Sequence, residues 1–143
     1  MSKLSAFLHP VQVVEEKEVF VSDRFIKRDE DGNPVLDKDG NAIPELFKIR
    51  ALTQEENDQN VKRSTRRNKD GTEYFDTIDY SRRTVVSSTV YPCFSDRELC
   101  EGFGVLDPLL VPAKMLRAGE YNRLLSEINV LNGFTNLDED AKN

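Results

Sequence analysis

The sequence predicts an α+β fold, in which an N-terminal β-hairpin is followed by a mostly helical bundle of about four or five helices. Two observations predict this order. In Phe47–Ala51, apolar and charged residues alternate with the period of a half-buried strand. Beyond residue 52 the apolar residues recur at helical spacing instead, most clearly between Tyr121 and Leu131.

The two parts are expected to form one domain over residues 1–134. Residues 1–52 make the hairpin part, which includes a short N-terminal helix, and residues 53–134 make the helical part. Residues 135–143 are acidic and are expected to be a disordered tail. A chain of 143 residues buries enough surface for a modest core, so it needs no metal or disulfide to fold.

The first element is one or two helical turns within Ser2–Leu8, which Pro10 ends. Leu4, Phe7 and Leu8 share one face of this turn, because they are spaced i, i+3, i+4. That apolar face either binds a partner or packs on the core of its own domain. The residues alone leave both interpretations open.

The hairpin is predicted to pair a strand over Glu18–Ser22 with the strand over Phe47–Ala51, in antiparallel orientation. The connection contains two copies of one tight turn, Asp31-Gly32-Asn33 and Asp39-Gly40-Asn41. An Asp-Gly pair supplies the positive φ that such turns require. Between the turns, the chain from Pro34 is expected to fold back on residues 42–44 as a small outer ribbon.

The helical part opens with Thr53 and Glu56, which form a capping-box pattern. The helix that they begin is expected to reach about Arg67, and Asn68–Gly71 is expected to be a loop. A second helix is predicted over Thr77–Val90, with Asp76 as its cap. Its expected buried stripe is Ile78, Val85, Val86, Thr89 and Val90.

A short third helix is expected to begin at the capping box Ser95–Glu98, with Leu99, Cys100 and Phe103 inward. For residues 108–116 two alternatives stay open. Either a helix begins at Pro112 and runs through Leu116, or residues 108–111 form a separate turn.

The last helix is the clearest, and Asn132-Gly133 is a good C-terminal stop. The apolar residues that follow its helical period are Tyr121, Leu124, Leu125, Ile128 and Leu131. We assign Leu124, Leu125, Ile128 and Leu131 to the core rather than to a binding surface, because a domain this polar needs that stripe inside.

Charge and composition exclude several classes of function. The formal net charge is −6, which disfavours binding to phosphate backbones. The dense basic residues are Lys62, Arg63, Arg66, Arg67 and Lys69. Acidic residues precede them on the same polar helix, which is typical of a solvated face, and no recognition motif accompanies them. We expect no nucleic-acid partner.

The sequence also gives no assembled catalytic or metal site. Cys93 and Cys100 are not spaced as zinc ligands, and His9 is the single histidine. No base is placed near either cysteine, so both are interpreted as small buried apolar residues. The two Asp-Gly turns lack the glycine and the glutamate that calcium loops have at positions six and twelve. We therefore predict neither an enzyme nor a cofactor.

No apolar stretch approaches the roughly 20 residues of a membrane span, and no signal peptide is present. The expected location is a reducing cytoplasm without membrane contact.

Eight motifs follow one another along the chain: Ser2–Leu8, Ser22–Phe25, Ile49–Glu56, Thr89–Pro92, Asp96–Leu99, Lys114–Leu116, Gly119–Tyr121 and Asn132–Phe134. In this order and spacing they resemble the XkdN-like family of phage tail assembly chaperones, found with contractile tails of the PBSX type. The resemblance covers nearly the whole chain. The second Asp-Gly-Asn unit departs from the family pattern and reads as an insertion in the hairpin.

The resemblance implies a non-catalytic assembly factor in the cytoplasm of the host bacterium. Such a factor is expected to bind the long tape measure protein, to recruit tail-tube subunits, and to be absent from the mature virion. Leu4, Phe7 and Leu8 are the candidate partner-binding residues. The rival interpretation is a structural tail or head-completion protein that stays in the particle. A nucleic-acid-binding regulator is a third possibility, which would depend on the basic residues.

Overall fold

The computed structural model describes residues 2–11 and 16–134, so the predicted tail at 135–143 lies outside the described residues. Within them the fold is α+β, as predicted, with a strand pair followed by helices. The strands are β1 (Glu16–Val19), β2 (Phe47–Arg50), β3 (Thr65–Arg67), β4 (Glu73–Phe75) and β5 (Thr89–Tyr91). The helices are α1 (Ser5–Leu8), α2 (Gln54–Arg63), α3 (Thr77–Ser88), α4 (Arg97–Gly102), α5 (Val111–Met115) and α6 (Ala118–Leu131).

The predicted antiparallel hairpin is confirmed, because β1 pairs with β2 with Val19 opposite Phe47. The first strand was predicted too late in the chain, since it begins at Glu16 rather than Glu18. It ends at Val19, and the next residues leave the sheet although Val21 is fully buried. The carbonyl of Val21 accepts a 2.8 Å hydrogen bond from the Arg123 guanidinium, which replaces the partner that a neighbouring strand would supply.

The hairpin connection folds back on itself as predicted, with Leu36 bridged to Ala42. Both Asp-Gly turns adopt positive φ at the glycine, 83° at Gly32 and 82° at Gly40. In the first turn the Asp29 carboxylate accepts from the backbone N–H groups of residues 31 and 33, at 3.0 and 2.9 Å. Both turns are thus held by local hydrogen bonds.

The capping box at α2 is confirmed, since Thr53 accepts from Glu56 N and Glu56 accepts from Thr53 N. The helix ends at Arg63, however, and not near Arg67. After Ser64, the residues Thr65–Arg67 form β3, which pairs with β4 across the tight turn that contains Gly71. Because Gly71 takes a φ of 90°, the chain reverses within the predicted loop and the flanking residues can pair.

Helix α3 begins as predicted, with the Asp76 carboxylate accepting from Asp79 N at 3.0 Å. It ends at Ser88, two residues earlier than expected. Residues 89–91 instead form β5, which adds a third strand to the sheet in the order β1-β2-β5. The prediction failed here because the free edge of β2 satisfies this backbone better than a further helical turn.

The short helix α4 is capped by Asp96 rather than Ser95, and the Asp96 carboxylate accepts from Glu98 N at 2.9 Å. Cys100 is buried as expected. Cys93 is exposed, so the prediction that it is a buried apolar residue was wrong. Cys93 lies in the loop between β5 and α4, where the next residue, Phe94, is fully buried in the core and Cys93 itself stays at the surface. Phe103, at the end of α4, is also partly exposed.

Each alternative for residues 108–116 is right in part. Pro108–Leu110 form a separate 3₁₀ turn capped by Asp107, and α5 follows directly. Pro112 lies in the first turn of α5, where its missing N–H removes no helical hydrogen bond.

The last helix, α6, is confirmed, and Gly133 ends it with a φ of 77°. Strands of the hairpin part and helices of the helical part contribute to one core. Its buried apolar residues are Val19, Val21, Phe47, Ile49, Val85, Phe94, Cys100, Val111, Leu116, Leu124 and Ile128. The assignment of Leu124 and Ile128 to the core is confirmed, because both are fully buried.

Candidate partner-binding surfaces

The N-terminal apolar turn, defined by Leu4, Phe7 and Leu8, is open to solvent. These side chains are 58%, 81% and 63% exposed. The backbone hydrogen bonds of α1 are local, such as Leu8 N to Leu4 O at 3.0 Å. An apolar patch of this kind on one short turn is typical of a protein–protein contact.

A second apolar surface is a groove between α3 and the segment formed by α5 and α6. It has a volume of about 480 Å³. Its lining includes Ile78, Arg82, Ala113, Leu116, Ala118 and Tyr121. We call it the α3–α6 groove.

The two walls of the α3–α6 groove are tied together across its floor. The hydroxyls of Ser81 on α3 and Tyr121 on α6 lie 2.7 Å apart and share a hydrogen bond. Leu116 closes the base and belongs to the buried core. The groove is therefore formed in the free chain and does not need a partner to open it.

Ile78 is an exposed residue on the face of α3 that packs against the core further along the helix. It lies seven residues before Val85, which is about two helical turns and puts both on one face of α3. Val85 is fully buried, whereas Ile78 is 66% exposed. The predicted buried stripe was thus wrong at Ile78, because none of the elements that the structure describes covers this side chain.

The charge of the α3–α6 groove comes from Arg82. This side chain is half-buried and pairs with no carboxylate in residues 2–11 or 16–134. The nearest acid along α3, Asp79, is engaged elsewhere, with Arg83 at 2.6 Å and Arg66 at 3.1 Å. Burial raises the pKa of Asp79, but hydrogen bonds from Arg83 and Ser64 outweigh it and leave that pKa lowered.

The first-turn acid of α6, Glu120, is not among the residues that line the α3–α6 groove, and it is engaged with Arg24. Its carboxylate accepts two hydrogen bonds from the Arg24 guanidinium, at 2.8 and 2.5 Å. The Arg24 contact lowers the pKa of Glu120 to about 2, with a further contribution from the Arg117 backbone N–H. The described residues that line the groove include no Asp or Glu, so the lining offers Arg82 no carboxylate.

The basic residues singled out in the sequence are partly neutralised. Arg66 pairs with Asp79, and Arg67 pairs with Glu73 on the opposite strand of the β3–β4 ribbon at 3.4 Å. All residues of that ribbon are exposed. The arrangement is that of a solvated charged surface, as the charge pattern indicated.

The histidine, cysteine and acidic side chains are the residues that could bind a metal ion. No group of three His, Cys, Asp or Glu side chains within it could hold a metal ion. Cys100 is buried and donates to the Phe94 carbonyl at 3.3 Å, while Cys93 lies at the surface. None of the helices described is long and apolar enough to cross a membrane.

Several of the motifs that carry the resemblance contact one another and hold the fold together. Arg24, in the motif after β1, binds Glu120 and also donates to the Met115 carbonyl at 3.1 Å. The backbone N–H of Leu52 donates to the Asn132 side chain at 2.6 Å. These contacts join five of the motifs, which are distant from one another in sequence. The order and spacing of the motifs are therefore more specific than any one motif.

Sequence reasoning missed the α3–α6 groove. The helical period placed Ile78 inside, since periodicity identifies a face but not how far along the helix that face is covered. The charge pattern did not single out Arg82 either, because only the tertiary structure shows that nearby carboxylates are engaged elsewhere.

Comparison with known proteins gives consistent matches. Residues 4–143 match the family of phage XkdN-like tail assembly chaperone proteins. Two proteins of Bacillus subtilis strain 168 are similar over 96% of this chain. One is an uncharacterised protein, YqbN, at 36% identity and 92% of its length, and the other is the phage-like element PBSX protein XkdN, at 32% identity and 93% of its length.

A solved structure is similar as well. The crystal structure of the protein YqbN aligns with a TM-score of 0.67 and 30% sequence identity, covering 94% of this chain and 99% of that one.

Proposed function

The chain belongs to the family of phage XkdN-like tail assembly chaperones, and from that premise we propose that it binds the tape measure protein of the phage tail and assists assembly of the tail tube. Its role is non-catalytic, and it acts through protein contacts in the cytoplasm of the host bacterium. It leaves the assembly before the virion is complete. Tail-tube subunits are its second partner.

The observation that carries the proposal is the exposure of the N-terminal apolar turn. Phe7 is 81% exposed, flanked on the same face by Leu4 and Leu8. Covering three such side chains on one helical turn is favourable by roughly 25 cal/mol per Å² of apolar surface buried. Because the contact is small, association through it is reversible. An assembly factor that later leaves the particle requires such reversibility.

The experiment is co-expression of this chain with the tape measure protein encoded by the same phage or prophage, followed by size-exclusion chromatography. We expect the two proteins to co-elute and the tape measure protein to be soluble only when this chain is present. If the tape measure protein stays insoluble or elutes separately, the proposal fails.

The N-terminal apolar turn is tested in the same assay. Removing residues 1–9, or changing Leu4, Phe7 and Leu8 together to Ser, is expected to abolish co-elution. The matched control changes the polar residues of the same turn, Ser2, Lys3 and Ser5, to Ala and is expected to retain it. If binding survives the truncation, these apolar residues are not the docking element.

Mass spectrometry of purified particles separates the chaperone from its rival, a structural tail or head-completion protein. We expect no peptide of this chain in mature virions and abundant peptides in lysates taken during assembly. A fixed number of copies per particle would instead support the structural role.

A further inference from the structure

We propose that the α3–α6 groove binds an amphipathic α-helix of the partner that carries an acidic residue opposite Arg82. The inference rests on the proposed function, since it names where and by which chemistry the tape measure protein is recognised. It adds a second surface, separate from the N-terminal apolar turn, with its own charge requirement.

The shape of the groove selects a helix as the occupant. Its walls are α3 on one side and the α5–α6 segment on the other, and a third helix packs into the channel between two helices through its apolar ridge. A volume of about 480 Å³ accommodates a few aliphatic side chains and not a folded domain. The small residues Ala113 and Ala118 on the lining let a helix approach closely.

The exposed apolar face of α3 requires that the partner helix carry an apolar stripe. Ile78 lies on the same face of α3 as buried Val85, so the first turns of α3 have the face of a core helix that no element within residues 2–11 and 16–134 covers. Leu116 below is already within the core. A partner stripe with apolar residues at i, i+3 and i+4 would extend the packing by about one layer.

The charge at the groove requires an acid on the partner. Arg82 is half-buried beside apolar groups, Asp79 is paired with other arginines, and the described residues that line the groove include no Asp or Glu. A guanidinium in this setting gains from a carboxylate that arrives with the ligand. A basic or uncharged helix would leave Arg82 without that partner when the groove is closed from water, which disfavours it.

The first test is site-specific photo-crosslinking in the co-expressed complex of the full chain with the tape measure protein. A benzophenone side chain at position 78 is compared with one at position 130, since Val130 is 65% exposed near the other end of α6. We expect crosslinks from position 78 and none from position 130. The crosslinked segment should be an amphipathic helix with an acidic residue.

The crosslinked segment is then synthesised as a peptide and titrated against the full chain. Ile78→Glu is expected to raise Kd about tenfold or more, because it places a charge where an apolar contact forms. Arg82→Gln is expected to raise Kd by roughly fivefold and to flatten its dependence on salt. The control Val130→Glu leaves Kd unchanged, and thermal unfolding checks that all three variants are folded.

The outcomes separate this inference from the proposed function. If the complex forms but position 78 gives no crosslink, or Ile78→Glu and Arg82→Gln bind as tightly as the unmodified chain, the groove is not the site and the proposed function stands. If the crosslinked segment lacks an acidic residue, the charge requirement is wrong. If no complex forms with the tape measure protein, both fail.

Discussion

Arg24 and Glu120 lie 96 residues apart in sequence, yet the guanidinium of one meets the carboxylate of the other through two hydrogen bonds of 2.8 and 2.5 Å. Through this pair, the residues that follow β1 are fixed against the first turn of α6. Arg24 also reaches the Met115 carbonyl at the end of α5, so one side chain orders three segments. The pair stabilises the start of α6 and the end of α5, the two helices that form one wall of the α3–α6 groove.

The pair is expected to act as a unit. Arg24→Gln and Glu120→Gln each lower the midpoint of urea unfolding, because each leaves a partly buried charge without its partner. The double variant is expected to lose less than the sum of the two single losses, since the second change removes no further contact. If the loss in the double variant equals the sum of the two single losses, the two side chains act independently.

Stability is expected to fall in acid. In the folded chain the pKa values of Glu56 and Glu120 are lowered from 4.5 to about 2 by Arg50 and Arg24. Above pH 4.5 both carboxylates are ionised in the folded and unfolded chain, and their stabilisation is fully present. As the pH falls from about 4.5 to 2, the unfolded chain takes up protons first, so stability declines.

Urea unfolding at a series of pH values checks this. We expect the double variant Glu56→Gln/Glu120→Gln to show a shallower decline between those pH limits than the unmodified chain. Parallel declines would mean that other groups dominate the acid response.

The buried stripe of α6 is expected to be sensitive to truncation. Leu124→Ala leaves a cavity in the core and should lower the free energy of unfolding by about 3 kcal/mol, because this side chain is fully buried. Val130→Ala on the same helix is the control. Val130 is 65% exposed, so its change should stay within about 0.5 kcal/mol. Similar losses at both positions would contradict the assignment of Leu124 to the core.

The contact between the two parts of the chain is expected to depend on Asn132. Its side chain accepts from Leu52 N at 2.6 Å and donates to the Ile128 carbonyl at 2.9 Å. Asn132→Ala should cost about 1 kcal/mol, since a half-buried N–H loses its acceptor. Asn129→Ala is the matched control, because the Asn129 side chain makes no hydrogen bond within the described residues. Chemical unfolding measures both, and equal values would exclude a role for the Asn132 side chain.

The two thiols are expected to differ in reactivity. Cys93 is exposed and Cys100 is buried, so Ellman's reagent should label one thiol per folded chain rapidly. Cys93→Ser should remove that fast reaction, and denaturant should expose the second thiol. Rapid labelling of two thiols in the folded chain would contradict the burial of Cys100.

The sequence by itself determined where helices begin and end when the capping residues lie within the same turn. The capping box at Thr53, the cap at Asp76 and the stop at Gly133 were all predicted and are confirmed, because a cap is satisfied by atoms within one turn. The strand pairing of the hairpin and the buried face of α6 also followed, since periodicity reports which face is apolar. The family resemblance followed from the order of short motifs.

The tertiary structure decided what depends on distant partners. Thr89–Tyr91 became a strand because β2 offered a free edge, and the end of the predicted long helix became β3 because β4 lay opposite it. Ile78 is on the core face of α3 but stays exposed, since coverage depends on where α5 and α6 lie. Whether Arg82 has a carboxylate partner is likewise a matter of three-dimensional neighbours. Periodicity and caps are properties of one segment, whereas strand edges, grooves and ion pairs are properties of how segments meet.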